Sequence, residues 1–219
     1  MCKQMKKSRL ILAAAALALT VIFAECSKSG DGSSDDQTSD NQANGITING
    51  VVWAECNVDA TGTFAAKPED YGMFYQWNRS KAWSATGATV TGWDSTAPSG
   101  DTWDTANDPC PSGWRVPTKD EQATLFNPAY VTNVWTAVNG VNGQRFTDNV
   151  SGASIFLPAA GERDLTGALT DAGIIGRYVS SSPRMSTEDV YILYFQINSA
   201  GTSEYFLRNC GYSVRCVRQ

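Results

Sequence analysis

The sequence predicts an α+β fold that is mostly β and rich in loops, with one or two short helices, stabilised by disulfide bonds. Short apolar stretches separated by Gly, Asn, Asp, Ser and Pro run through the chain, as is typical of strands joined by turns. No heptad, solenoid repeat or long helical period interrupts them. Beyond the amino-terminal region stand four cysteines, Cys56, Cys110, Cys210 and Cys216.

The amino terminus has the pattern of a secretory signal. Four basic residues lie among the first nine, and a nearly unbroken apolar run over residues 10–24 follows them. That run is too short to serve comfortably as a permanent membrane-spanning helix. We therefore expect residues 1–25 to be a signal peptide and the mature protein to be exported.

The end of this leader resembles a bacterial lipobox, Phe23-Ala24-Glu25-Cys26, in which Cys26 would carry the lipid. Glu25 stands where a small residue is usual, so plain cleavage after Ala24 is the alternative. Residues 26–45 are polar, acidic and rich in Gly and Ser, which predicts a disordered tether. The folded domain is then expected over residues 46–219, lipid-anchored at the outer membrane or cell surface.

Composition excludes several classes of function. Without the leader, the chain keeps 13 basic against 21 acidic side chains. Such an acidic surface repels phosphate backbones, so we expect no nucleic-acid partner. The chain has no histidine. Catalytic triads that use histidine, imidazole general bases and histidine-ligated zinc sites are therefore excluded.

Local patterns predict the first elements in turn. Residues 46–54 form an opening hairpin in which Asn49-Gly50 supplies the turn. Residues 71–103, which include four tryptophans, are expected to be a long loop packed by its own rings. A helix begins after Thr118, because Thr118 and Glu121 have the spacing of a capping box, and it ends before Pro128.

Four further stretches of the sequence predict strands. Residues 114–116 precede the helix, and residues 153–158 and 190–197 are apolar and β-prone. The last strand covers residues 212–218, with Ser213 and Arg215 on the face opposite to Tyr212, Val214 and Cys216.

Four segments in order carry a resemblance to a known family. They are NDPCPSGWRVPT at 107–118, LPAAGERD at 157–164, GRYVSSS at 176–182 and GYSVRCVR at 211–218. Together they resemble the Fibrobacter succinogenes major paralogous domain, found in surface lipoproteins of the Bacteroidetes, over about residues 46–219. This family is in turn similar to the C-type-lectin-like and sulfatase-modifying-factor folds. The resemblance implies a lectin-like domain whose first and last strands pair.

An even number of cysteines in an exported domain favours two disulfides, although three pairings are possible and buried free thiols are an alternative. The resemblance implies that Cys110 is bonded to Cys216. Cys56 and Cys210 are then the remaining pair.

Residues 178–208 surround one buried strand with the polar and aromatic side chains that recognition surfaces favour. In lectin-like folds this part of the chain often forms the ligand face; an ordinary solvated loop surface is the alternative. The ligand-binding candidates are Tyr178, Ser180, Ser182, Arg184, Tyr205 and Arg208. We therefore expect a surface binding or adhesion module for a glycan or protein. The alternative is a structural or fimbria-associated subunit that contacts pilus-type neighbours.

Catalysis and cofactors are not expected. Four arginines lie inside the recognisable segments: Arg115, Arg163, Arg215 and Arg218. We expect these motif arginines to bond to carbonyls and carboxylates of the protein's own loops rather than to anionic ligands. Asp108 and Asp164 are compatible with Ca²⁺ binding, but the chain lacks the EF-hand spacing and the sugar-binding lectin signatures.

An enzyme of the formylglycine-generating type is disfavoured, because Cys216 is assigned to the structural disulfide. Glu162 and Asp164 share one strand face, which lacks the separation across a cleft that glycoside hydrolysis needs.

Overall fold

The computed structural model describes residues 45–184 and 188–219. Within them the chain is mostly β and rich in loops, with fifteen short strands, one α-helix and one 3₁₀ turn. No helix among these residues has the length and apolar character needed to cross a bilayer. The expected signal peptide at 1–25, the lipidated Cys26 and the tether up to residue 44 lie outside the described residues.

The strands and helices have the following bounds. The first half holds β1 Ile46–Ile48, β2 Val51–Trp53, β3 Met73–Tyr75, β4 Trp83–Ser84, a 3₁₀ turn Thr105–Asn107, β5 Trp114–Arg115, α1 Lys119–Thr124, β6 Val131–Val138 and β7 Val141–Asp148. The second half holds β8 Ser154–Pro158, β9 Glu162–Arg163, β10 Leu169–Thr170, β11 Gly176–Pro183, β12 Asp189–Gln196, β13 Ser199–Leu207, β14 Tyr212–Ser213 and β15 Val217–Arg218.

These strands form four sheets. The orders are β1-β2-β15-β5, β13-β12-β11-β14-β3-β4, β6-β7-β8 and the pair β10-β9. In the first of them Val217 of β15 pairs with Trp53 of β2, so the last strand closes against the opening hairpin. The ends of the described domain therefore meet in one sheet.

The opening hairpin and the helix start are confirmed. Asn49 and Gly50 both have positive φ, 45° and 80°, as a tight two-residue turn requires. Thr118 Oγ1 accepts a bond from the Glu121 backbone N–H at 3.2 Å, and Glu121 Oε2 accepts one from the Thr118 N–H at 2.8 Å. Arg115 forms an ion pair with the same Glu121 carboxylate, which fixes the capping box to β5.

Two predicted segments differ from the structure. The expected loop at 71–103 contains β3 and β4, which pair with each other. The expected last strand divides into β14 and β15, which belong to different sheets. Between them, the carbonyls of Val214 and Cys216 accept bonds from Val58 and Ala54. A single period-2 pattern cannot distinguish one long strand from a chain that changes sheets.

Two apolar clusters lie on opposite faces of the six-stranded sheet. Val190 and Ile192 belong to one cluster, and Leu193 and Phe195 belong to the other. Because side chains alternate across a strand, both faces of β12 are buried. This explains why β12 has an almost continuous apolar sequence.

The cysteines are arranged differently from the expectation in one respect. Cys110 and Cys216 are bonded, which links the loop before β5 to the loop before β15 across a sequence separation of 106. Cys210, in contrast, is a buried free thiol, and Cys56 is disulfide-bonded but not to Cys210. The expected pairing of Cys56 with Cys210 is therefore wrong. Only elimination indicates that pairing, and no motif around either residue supports it.

Candidate functional site

The structure places the six ligand-binding candidates in two environments. Tyr178, Ser180 and Arg208 are almost completely buried. Ser182 is partly exposed, but its Oγ accepts a bond from the Lys119 N–H at 3.0 Å and so holds the first turn of α1. Of the six, Tyr205 is 49% exposed, and the Arg184 side chain, which pairs with Asp189, is 31% exposed.

The burial of Tyr178 corrects its expected role. Its hydroxyl donates to the Pro158 carbonyl at 2.9 Å and accepts from the Asn57 side chain at 3.2 Å. Its ring stacks on Phe195. Burial raises the pKa of Tyr178 to about 12. Tyr178 is thus a core residue whose polar atom is satisfied internally, and it cannot belong to an exposed ligand face.

Ser180 and Arg208 are core residues as well. Arg208 donates to the carbonyls of Asp189 and Gly100, at 3.0 and 2.6 Å, and its guanidinium lies 4.0 Å from the centre of the Trp77 ring. Its place in the segment 178–208, whose polar side chains are typical of recognition surfaces, predicts a surface residue. The side chain instead points inward and joins the start of β12 to the loop at Gly100.

Arg184 and Tyr205 come together at one end of the six-stranded sheet. The Arg184 guanidinium carbon lies 3.4 Å from the centre of the Tyr205 ring, and Arg184 Nη1 lies 3.0 Å from Asp189 Oδ2. Tyr205 stands directly opposite Tyr191 in the β12–β13 register. The Lys119 ammonium lies 4.0 Å over the Tyr191 ring. We name these five residues, Lys119, Arg184, Asp189, Tyr191 and Tyr205, the cation–aromatic patch.

Sequence reasoning missed Lys119, Tyr191 and Asp189. Lys119 belongs to the helix, far from the other four in sequence, and no local pattern indicates where α1 packs. Tyr191 belongs to the stretch 190–197, which the sequence predicts to be a buried strand, and Asp189 lies just before it. Their exposure could have been found from the position of Asp189 at the start of β12, where a strand leaves the core.

The motif arginines bind backbone carbonyls and carboxylates, which supports the structural interpretation over anion binding. Arg163 is fully buried and donates to the carbonyls of Ser84, Thr86, Ala88 and Gly167. Arg218 lies over the Trp114 ring at 4.4 Å. These side chains fix loops whose carbonyls would otherwise be buried without partners.

Arg215 has the most complete set of partners. Its Nε donates to Asn57 Oδ1 at 2.9 Å, and its terminal nitrogens donate to carbonyl oxygens of four residues, Ala54, Glu55, Pro68 and Phe156. The side chain is 1% exposed. Arg215 therefore joins three separate chain segments inside the core.

A second cluster of charged groups is buried near β9 and β11. Arg177 Nη1 lies 2.9 Å from Asp171 Oδ2 and 3.3 Å from Glu162 Oε1. Glu162 is 13% exposed, and its Oε2 is buried without a hydrogen-bond partner within the described structure. Burial raises the pKa of Glu162 to about 7, against the opposing effect of Arg177. Burial likewise raises the pKa of the nearby Cys210 thiol to about 11.

We expect Glu162 to reduce the stability of the folded protein as pH rises from about 4.5 to about 7. The folded carboxyl binds its proton more tightly than the ordinary carboxyl with pKa 4.5, so the unfolded state loses its proton first. Above pH 7 the folded protein holds a buried carboxylate. The full difference between the two pKa values corresponds to about 3 kcal/mol.

Urea denaturation of the wild type and of Glu162→Gln at pH 5 and pH 8 measures this effect. Relative to the wild type, the variant should gain stability between pH 5 and pH 8. Glu204→Gln, an exposed change on β13, is the control and should show no such gain. An equal stability difference at both pH values for Glu162→Gln would contradict the assignment.

The acidic residues considered for Ca²⁺ are occupied by local backbone bonds. Asp108 accepts from the N–H groups of Cys110 and Val116, and Asp164 accepts from those of Thr166 and Ala168. Across residues 45–184 and 188–219, no group of three or more Cys, Asp or Glu side chains is arranged to hold a metal ion.

Comparison of the chain with protein-family models, with curated proteins and with solved structures finds no match.

Proposed function

We propose that this chain is an exported, lectin-like binding module, lipid-anchored through Cys26 at the outer membrane or cell surface, and that the cation–aromatic patch contacts a glycan or protein ligand. The observation that carries the proposal is the stacking of Arg184 on Tyr205, a tyrosine that is 49% exposed. Both residues belong to the part of the chain expected to form the ligand face. The family resemblance supports the fold and the location.

The chemistry of the patch suits recognition. Tyrosine offers a large, amphipathic contact surface and loses little conformational entropy on binding. Arg184 is already fixed between Asp189 and Tyr205, so a ligand would not have to order it. Two cations beside two aromatic rings can bind hydroxyl groups, carboxylates or aromatic side chains of a partner.

Hydrogen bonds attach the helix beneath the patch to the sheet, which favours a preformed site. Gln122 of α1 donates to the carbonyls of Tyr178 and Val179, both at 3.1 Å, and so attaches the helix to β11. Ser182 holds the helix start next to Lys119. A site on such a scaffold keeps its side chains in place without the ligand.

Two observations support binding rather than catalysis. The Cys210 thiol is buried and its pKa is raised to about 11, so it is a poor nucleophile at neutral pH. The motif arginines donate to carbonyl oxygens or stack on rings, which leaves them unsuited to holding a substrate anion.

Tyr205→Ala should weaken ligand binding by about 1 to 2 kcal/mol, because truncation removes both the ring and the support for Arg184. Tyr130→Ala is the matched control, since Tyr130 has the same exposed fraction, 49%, at the start of a different sheet. The affinity of both variants for the ligand is measured by titration calorimetry, and their melting temperatures are compared with the wild type. Equal losses for the two tyrosines would show that the patch has no special role.

The ligand itself is sought by applying the purified protein to glycan and protein arrays, with and without Ca²⁺. Binding that Tyr205→Ala reduces and Tyr130→Ala keeps is the expected result. Absence of binding on both arrays would overturn the proposal. If the protein is instead a structural or fimbria-associated subunit, Tyr205→Ala should have no effect on binding, and the protein should co-purify with an assembly.

A further inference from the structure

The strand β6 forms one edge of the three-stranded sheet β6-β7-β8. It pairs with β7 over all eight of its residues without a register shift. Its sequence, Val-Thr-Asn-Val-Trp-Thr-Ala-Val, contains no charged residue, proline or glycine. Natural proteins usually protect long edge strands with lysines, prolines or bulges, because an open edge can pair with another strand. None of these devices is present in β6.

The outward-facing backbone groups of β6 can be identified from its neighbours. In an antiparallel ladder, alternate residues bond to the adjacent strand and the residues between them face away. The Asn149 N–H donates to the Tyr130 carbonyl at 2.8 Å, so even-numbered residues face β7. The Val131 N–H donates instead to the Asn127 carbonyl at 2.8 Å. The backbone groups of Asn133, Trp135 and Ala137 therefore point to the open edge.

We propose that two copies of this protein associate through antiparallel pairing of β6 with β6 of a second copy. A twofold axis at Trp135 places Asn133 opposite Ala137 of the other copy and Trp135 opposite its equivalent. All three outward-facing residues of each copy then form bonded pairs. A register shifted by two residues, which again sets outward-facing residues opposite each other, pairs Ala137 with Val131, whose N–H is already used. The first register is therefore favoured.

The side chains also favour a second copy as the occupant. In this register Val134, which is 53% exposed, stands opposite Thr136 of the other copy, a β-branched pair of the kind that stabilises sheets. No like charges meet, although the chain carries a net charge of −5. The other long edge strand, β13, contains Glu204 and Gly201 and has an irregular register with β12, so it suits such pairing less well.

Analytical ultracentrifugation of the purified protein over rising concentration tests this inference, which does not depend on the ligand surface. The wild type should double in mass as concentration rises towards about 1 mM. Val134→Lys and Ala137→Pro should remain monomeric, because the first introduces charges near the twofold axis and the second removes an outward N–H. Val150→Lys, at a valine that is 85% exposed in the turn after β7, is the matched control and should still dimerise.

Hydrogen exchange gives a second readout that an unrelated interface would not produce. The amides of Asn133, Trp135 and Ala137 should exchange rapidly at low concentration and slowly in the dimer. A wild type that stays monomeric over the whole range would overturn the proposal. Dimers that persist in both edge variants, or wild-type dimers in which these three amides stay unprotected, would also overturn it. Circular dichroism confirms that each variant is folded.

Discussion

Replacing Arg215 by methionine is expected to lower the free energy of unfolding by about 3 to 5 kcal/mol, because several buried carbonyl oxygens lose the guanidinium that donates to them. The side chain makes its bonds to Asn57 and to four backbone carbonyls inside the core. Methionine occupies a similar volume but donates nothing. The carbonyls of Ala54 and Phe156, among others, would then be buried without partners.

Urea denaturation of Arg215→Met and Arg218→Met measures this cost. Arg218 lies only three residues away, but it is partly exposed and stacks on Trp114, so its replacement should cost about 1 kcal/mol. Both variants lose one positive charge near the carboxy terminus. The difference between their losses in free energy of unfolding therefore reports on the hydrogen bonds of Arg215 rather than on its charge. Losses of equal size would show that Arg215 does not organise the core.

Removing the Cys110–Cys216 disulfide should lower stability by about 4 to 5 kcal/mol, because the bond closes a loop of 106 residues in the unfolded chain. The double variant Cys110→Ala, Cys216→Ala is compared with the wild type by urea denaturation. The loss should come mainly from the unfolded state, so the folded variant should keep its strand content by circular dichroism.

Cys210→Ala serves as the control for this experiment. It also removes a buried sulfur, but no disulfide. A loss of about 1 kcal/mol is expected from the lost packing alone. If Cys210→Ala proves as destabilising as the double variant, the disulfide contributes little and packing explains both results.

Local signals predicted local structure well. The Asn49-Gly50 turn and the Thr118–Glu121 capping box depend on neighbours within a few residues, and both are present as predicted. The β6–β7 hairpin was missed, although Asn139-Gly140 is the same turn signal and both of its residues have positive φ. That hairpin could have been predicted from the flanking apolar residues.

The burial of individual side chains could not be predicted in the same way. Ser180 and Arg208 have polar side chains that are typical of surfaces, yet the structure buries both. Arg208 is compatible with the core only because the Gly100 carbonyl approaches it from a loop distant in sequence and the Asp189 carbonyl approaches it from the start of β12. Such partners depend on the path of the whole chain, which no window of the sequence reports.

The candidate site shows the same limit. Arg184 and Tyr205 both keep exposed surface, but their stacking depends on the β12–β13 register. Lys119 joins them because α1 packs against the same end of the sheet. The sequence indicates which chemistry is available, and the long-range packing decides which groups share a surface.

The role of the cation–aromatic patch in ligand binding is tested most directly by mapping the bound ligand on the protein by NMR. When a ligand found on the arrays is titrated into the labelled protein, the amide shifts should be confined to residues 119, 184, 189–191 and 203–206. Tyr205→Ala should abolish these shifts at the same ligand concentration. Shifts centred elsewhere, or an unchanged titration with Tyr205→Ala, would contradict the assignment of the cation–aromatic patch as the binding surface.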